Sequence, residues 1–448
     1  MRYQGYLEKS EQAKRGSDNQ PSAGQRSFSR GLAGAAASAA LLLGIHSVNA
    51  AGAVSVPDSF FPIGVWSQPL NTFDKWQSRG INTVINYEPY GGQDSIDAWS
   101  NAANAHNFYQ VRTPRANPAD DLKETRLLAW MHADEPDLHK TAPSLLAADY
   151  TKWKAVDPGK PVFVNFSGGE LLNHSTSNTT YQQYMASANI IGNDLYPVTG
   201  WGRPDWIDYS KTVADRKTEG MAIKGYSDLS GGKPQWSFIE TSAQKLSWIQ
   251  GGNARGVTPA EFRGEVWDAI INGAKGIAYF PQQIGSGFRF DMTPADVVSE
   301  MTTQNARIQS LARVLNASSN PAADKIAMNS TLLEGARKNY DGDQYFFILN
   351  MSSKTLSGQA ITLPGLSGLS RLDVFGEGRE LSFANGQLLD QFDPWEMHVY
   401  HADLAGFGIL PSSGEEIAAG GEFPAVPEPG TIGLLSVAVI GLGLRRRR

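Results

Sequence analysis

The 448-residue chain is expected to be an α/β protein, a (β/α)8 barrel of the TIM type followed by a small antiparallel β-sandwich domain. Three observations predict this. Between Phe61 and Leu315, short apolar or β-branched runs alternate with longer stretches of helical spacing, the signature of βαβ units and a parallel sheet. Eight such units in about 255 residues match the usual size of a closed barrel. After Asn316 the helical texture stops, and alternating runs punctuated by Gly, Asn, Asp and Ser take over, as in a sandwich of short strands. A doubly wound open sheet is the competing arrangement for the first region.

In chain order, strands are expected at Pro62–Ser67, Thr83–Tyr87, Tyr109–Thr113, Leu127–Ala133, Val162–Phe166, Ile190–Leu195, Gln235–Glu240 and Gly276–Phe280. Helices are expected between most of them: Thr72–Ser78, Ser95–Ala105, Ala142–Ala155, Thr180–Ala188 and Pro259–Asn272, with a last one over Ala295–Leu315. The third connection carries no clear helical pattern, and Gly168–Thr179, Val198–Lys233 and Lys245–Val257 read as loops. In the second region the expected strands are Thr331–Leu333, Gln344–Asn350, Gln359–Leu363, Arg371–Val374, Glu380–Phe383 and Met397–Tyr400. The barrel is thus placed at 58–318 and the β-domain at 324–402, where Trp395 and the Phe346–Phe347 pair are expected in the core.

Composition narrows the chemistry. Hydrophobic residues make up 41% and aromatics 10%, which excludes a disordered or collagen-like chain. The absence of Cys excludes disulfide scaffolds, thiolate metal sites and cysteine nucleophiles. No Gly-rich phosphate loop and no Gly-x-Ser-x-Gly elbow occurs. His132, Asp134, His139 and Asp194 could together form a metal site, but the His-x-His spacing of metal-dependent barrel hydrolases is absent. Neither metal nor cofactor is expected.

Both ends read as targeting segments. Residues 1–30 carry six Lys/Arg, an Ala/Leu-rich apolar run follows from Leu32 to Ile45, and small residues close it at Ala50. This is the plan of a signal peptide over 1–50, and the run is too short for a membrane span. At the other end Val426-Pro427-Glu428-Pro429 precedes an apolar stretch, Thr431–Leu444, and then four arginines. At about 1.5 Å per residue that helix is short for a permanent span, and the arginines resist translocation. Residues 426–448 resemble the PEP-CTERM sorting signal, which implies export in a Gram-negative bacterium, transient membrane contact and processing by an exosortase, at the cell surface or in the extracellular matrix. Residues 403–425 are Gly-, Ser-, Ala- and Glu-rich, a linker. Without the two ends, residues 51–425 hold 29 Lys+Arg against 41 Asp+Glu, a surface that repels phosphate backbones, so nucleic acid is not an expected partner.

Active residues of such a barrel stand at the C-terminal ends of its strands. The fourth strand ends Trp130-Met131-His132-Ala133-Asp134-Glu135-Pro136, and the seventh ends Trp236-Ser237-Phe238-Ile239-Glu240. A carboxyl among aromatics is costly without a task or a partner. Two of them facing across the barrel mouth suit glycoside hydrolysis, one donating a proton and one attacking the sugar. On these residues the chain resembles the retaining (β/α)8 glycoside hydrolases of clan A. The resemblance implies Glu135 as acid/base and Glu240 as nucleophile, with Asp134 standing where that family commonly has Asn. It also implies that Tyr196 holds the nucleophile carboxylate, and a polysaccharide or oligosaccharide substrate with a β-linkage. Asp134, Asn165 and Asp194 are candidates for sugar hydroxyls, and Trp66, Tyr87, Trp201 and Trp248 for stacking on sugar faces. Trp206 and Phe288 lie in similar loops. The alternative is a non-catalytic carbohydrate-binding or matrix protein on the same scaffold, whose carboxyls would stand too far apart or be salt-bridged to Arg112 or Arg115.

Overall fold

The computed structural model describes residues 54–88, 95–172, 174–199, 216–243, 255–283, 288–317, 326–366 and 368–404. The expected signal peptide, most of the linker and the C-terminal signal lie outside these residues.

Eight strands close into an all-parallel barrel in chain order: β1 (Ile63–Trp66), β2 (Thr83–Ile85), β3 (Tyr109–Arg112), β4 (Leu127–Met131), β5 (Val162–Ser167), β6 (Ile190–Asp194), β7 (Gln235–Glu240) and β8 (Ala274–Phe280). The ring closes through β8 on β1, with Ile63 opposite Ile277. Strands covered on both faces are apolar throughout, and β1, β5 and β7 are buried along their whole length. Around them run α1 (Phe73–Ser78), α2 (Ile96–Ala105), α3 (Pro143–Val156), α4 (Gly168–Leu172), α5 (Asn178–Ala186), α6 (Glu219–Ser230), α7 (Pro259–Ile271) and α8 (Ala295–Asn316). Local chemistry starts them. Ser95, Ser177 and Thr218 cap three N-termini by accepting a backbone amide. Thr258 and Glu261 form a reciprocal capping box behind Pro259.

The third connection is a 3-10 turn, Pro118–Asp121, in place of a helix. It delivers Asp121 to Arg112. The stretches expected as loops at Gly168–Thr179 and Val198–Lys233 contain α4 and α6. Gly220 and Gly225 weaken the helical pattern of α6 in sequence; its buried face, Ala222, Ile223 and Tyr226, is supplied by packing.

The barrel interior is filled by Trp66, Ile85, Val111, Met131, Phe163, Trp236 and Phe238, with Tyr196 and Phe280 also in this cluster. A larger outer layer joins strands and helices and continues into the β-domain. That domain has a five-stranded sheet, β10 (Leu333–Tyr340), β11 (Asp343–Asn350), β16 (Met397–Ala402), β13 (Arg371–Val374) and β14 (Arg379–Ser382), in that spatial order. A second sheet of three pairs β15 (Gln387–Phe392), β12 (Leu356–Thr362) and β9 (Ala327–Met328). β15 and most of β10 go beyond the sequence expectation, because the polar and charged residues of LEGARKNY and QLLDQF mask the alternation. Phe346, Ile348, Leu388, Phe392 and Tyr400 make the core of the sandwich. Phe347 turns the other way and stacks on Trp267 of α7 at 6.1 Å, and Trp395 joins the same outer layer.

Charge reinforces that junction. Arg263 donates to the Trp395 carbonyl at 2.9 Å and Arg307 to the Met397 carbonyl at 3.1 Å. Beside them buried His398 contacts Glu377 at 2.6 Å and Glu396 at 3.4 Å. Burial opposes its protonation, but the two carboxylates prevail and push its pKa up to about 9. A histidine raised from about 6.5 stabilises fully below that value and loses the contribution as pH climbs through about 9. The Tm of the protein is therefore expected to fall between pH 7 and 10 by more than that of His398→Gln, which a pH series of thermal melts measures.

Candidate active site

The strand ends of one barrel rim carry the candidate residues. After β4 the chain turns sharply: Glu135 adopts φ 45, in the left-handed region, directly before Pro136. For a non-glycine residue ahead of proline this is a costly conformation, which persists only where surrounding contacts impose it. Those contacts are visible. The Glu135 carbonyl accepts the His139 amide at 3.0 Å. Asp137 accepts the Ser167 amide at 3.1 Å and the Tyr181 hydroxyl at 3.0 Å. Burial pushes Asp137 up to about 7 against these bonds. Asp137 thus pins the turn to β5 and α5 while Asp134 and Glu135 stay half-exposed at the rim.

Asp134 accepts from the Asn165 amide nitrogen at 3.0 Å. Asn165 is held beside Gly192 of β6, its register partner. A methyl group at Gly192 would come 2.5 Å from Phe163 Cζ and 2.9 Å from Asn165 Oδ1. Gly192→Ala is therefore expected to cost about 1–3 kcal/mol of stability through overpacking, and to displace Asn165 from Asp134; thermal unfolding reads the first effect.

Asp194, at the end of β6, accepts the Gly168 amide at 2.8 Å and hydrogen-bonds to the Glu135 carboxyl. Two carboxyl oxygens can meet only around a proton. Burial pushes Asp194 well above the usual carboxylate range, and the charges of Glu135 and Asp134 add to it. Asp134 is raised for the same reasons, burial first and then Glu135, with Glu88 of the β2 end contributing. The rim therefore gathers several acids, two of which, Asp134 and Asp194, favour the protonated form.

Tyr196 lies within the field of this group and of Glu240. Its ring stacks on Phe280 at 5.2 Å. Burial pushes its phenol well above the ordinary range, followed by the charges of Asp194, Glu135, Asp134 and Glu240. One side chain thus stands in the field of carboxyls from strands four, six and seven. Trp236 and Phe238 face the barrel interior, so Glu240, two residues on, leaves the strand on the same face. Its carboxylate is 1% exposed: Oε1 accepts the Val198 amide at 2.6 Å and Oε2 the Thr199 amide at 2.5 Å. Burial raises Glu240 above the usual carboxylate value, opposed by contact with Glu265 and by the two amides.

Of the aromatic candidates, Trp66 lies inside the barrel edge-on to Phe238 at 5.3 Å. Tyr87 packs its ring edge-on against Trp99 of α2 at 5.9 Å, beyond Asn86 at φ 60. Exposed Phe288 sits edge-on to Phe290. Trp201, Trp206 and Trp248 lie outside the described residues. His132 turns out of the barrel, bonding to the Ser187 carbonyl at 2.8 Å with its ring against Trp153. Arg112 and Arg115 pair with Asp121, and Arg115 also with Glu124.

Residues 425–448 match the PEP-CTERM protein-sorting motif. The chain carries an exosortase-type sorting signal at its C-terminus, which marks it as secreted and sorted to the cell envelope. No curated protein matches the chain. Among solved structures, it is similar to AmyP in complex with maltotriose, at 9% identity and TM-score 0.51, over 80% of this chain and 99% of that one. It is similar also to Gan42B, a GH42 β-galactosidase from G. stearothermophilus, at 9% identity and TM-score 0.50, over 77% and 98%. A family 39 glycoside hydrolase from Bacteroides cellulosilyticus WH2 matches at 15% identity and TM-score 0.44, over 77% and 82%. At such identities the likeness is one of fold.

Sequence reading did not single out Asp137, Glu88 or Glu265. Asp137 had a signal, a second acid two residues past Glu135. Glu265 had none, since a Glu within a helix reads as an exposed face.

Proposed function

We propose that the protein is an exported glycoside hydrolase acting on a β-linked glycan with retention, with Glu135 as acid/base and Glu240 as nucleophile. The observation that carries the reading is that Asp134, Glu135, Asp194 and Glu240, from the ends of strands four, six and seven of a closed parallel barrel, all lie near enough for their charges to act on Tyr196. Retaining hydrolysis needs one carboxyl that holds a proton and one that stays ionised. Asp134 and Asp194, the acids beside Glu135, are pushed well above the usual carboxylate range, burial first, so the rim offers a proton for the first condition. The two amides on Glu240, which favour its charged form, supply the second.

In the first step a Glu240 oxygen bonds the anomeric carbon while the leaving oxygen departs with the Glu135 proton. In the second, water gives a proton to Glu135, its oxygen bonds the same carbon, and the Glu240 ester breaks. In this reading Asp134 and Asn165 would bind sugar hydroxyls and Trp66 would stack on a sugar face, as would Trp201 and Trp248, which lie outside the described residues. The C-terminal signal would hold the chain briefly in the membrane before exosortase cleavage, for work at the cell surface or in the matrix, after removal of a signal peptide over 1–50.

The burial of Glu240 favours a second reading, a barrel that binds glycan without cleaving it. A panel of aryl β-glycosides and β-linked polysaccharides decides between them. Turnover with a β-anomer as first product supports hydrolysis with retention; glycan binding without turnover overturns it in favour of the second reading.

A further inference from the structure

Behind the rim the chain buries more carboxyl groups than it provides donors for. Glu265 of α7 is 0% exposed and reaches Glu240, yet neither of its oxygens receives an N–H or a hydroxyl. Glu219, the first residue of α6, is equally buried, with both oxygens equally undonated. The neighbouring acids differ. Asp268, one turn beyond Glu265, accepts the Gly220 amide at 2.6 Å and the Asn272 side-chain amide at 2.9 Å. Glu261, one turn before it, takes Arg255 at 2.8 and 2.5 Å together with Thr258. The charges of Glu334 of β10 and Lys224 of α6 also act on Asp268. Arg255, a cation on which the charges of Glu240 and Glu265 act, is already committed to Glu261.

Glu240 and Glu265 meet as two acceptors, which requires a proton between them. Buried carboxyls without counter-charge cannot all ionise. The donors decide where the charge rests. Glu240 has two amides that oppose the upward push of burial; Glu265 has no such donor, and burial, with the charges of Glu240 and Glu219, pushes it well above the usual range.

We propose that Glu265 is a positioning residue: it carries a proton, donates it as a hydrogen bond to Glu240, and so keeps that carboxylate charged and aimed for attack. The proposal rests on Glu240 being the nucleophile. The Glu265 proton is never transferred; when Glu240 forms its ester the hydrogen bond weakens, and it is restored when water releases the sugar.

Two variants test it. Glu265→Gln keeps a donor and removes the ionisable group; Glu265→Leu removes the donor. In Glu265→Leu the anion of Glu240 is less favoured, so the acid limb of the kcat/KM profile is expected to move up by about one pH unit, a tenfold loss on that limb, with KM nearly unchanged. Glu265→Gln is expected to leave the limb in place and to retain kcat/KM within about threefold. A purely structural role would lower the Tm of both variants without moving the limb, and that outcome overturns the proposal. Infrared spectroscopy of the resting protein gives a readout apart from turnover. A protonated-carboxyl band present at neutral pH and diminished in Glu265→Gln supports the proton on Glu265; an unchanged band overturns it. If the wild type hydrolyses no glycoside, the functional reading fails while the band still decides the protonation.

Discussion

Glu135→Gln is expected to lower kcat on an unactivated β-glycoside by about 10²–10⁴-fold, the usual worth of a positioned general acid. Glutamine fits the same volume and can still contact Asp194, so folding is preserved while the transferable proton is lost. The loss should depend on the leaving group. A strongly acidic phenol departs without protonation, so bond cleavage to Glu240 should survive in the variant and the second step should become limiting. Glu240→Ala is expected to abolish turnover for every leaving group, because the bond-forming atom is gone. Steady-state rates across a series of aryl glycosides check both. Equal losses for poor and good leaving groups in Glu135→Gln would remove Glu135 from the role of acid.

The second large effect concerns the fold. Asp121→Ala is expected to destabilise the protein by about 3–5 kcal/mol, because it leaves a buried arginine without its partner. Asp121 and Arg112 are both 0% exposed. Asp121 accepts from Arg112 at 2.7 and 3.2 Å, from the Trp130 indole at 3.0 Å, and from the Arg115 amide and guanidinium. Burial works against the Asp121 charge, but these donors prevail and hold its pKa below the usual carboxylate value. A depressed carboxylate contributes stability above its unfolded pKa, near 4, and loses it as pH falls through the lower folded value. Thermal melts should therefore show a Tm drop on the order of 10 °C at pH 7, shrinking as the pH is lowered below 4. A drop unchanged by acid would mean that packing around Trp130, and not the charge, is what the variant loses.

Much of this molecule is legible along the chain. The eight barrel strands read from the sequence because a parallel strand buried on both faces must be a short apolar run, whatever lies beside it. Helices with capping residues, such as Ser95 and the Thr258–Glu261 box, read equally well, since those signals are local. What failed to read is what packing supplies. α6 carries two glycines and owes its stability to its buried face, and β10 is a charged strand paired along its full length with β11.

The site divides the same way. Sequence by itself determined that acids end the fourth and seventh strands and that a sorting signal closes the chain, because strand ends and motifs are properties of neighbouring residues. Only the tertiary structure decided which acids come together: Asp194 with Glu135, and Glu265 with Glu240, residues that lie 59 and 25 positions apart in the chain. It also decided that Tyr87 packs against Trp99 and that Asp137 pins the turn bearing Glu135. Carboxyl chemistry depends on burial and on the count of donors within a few ångströms, and both are set by the folding of distant segments against one another.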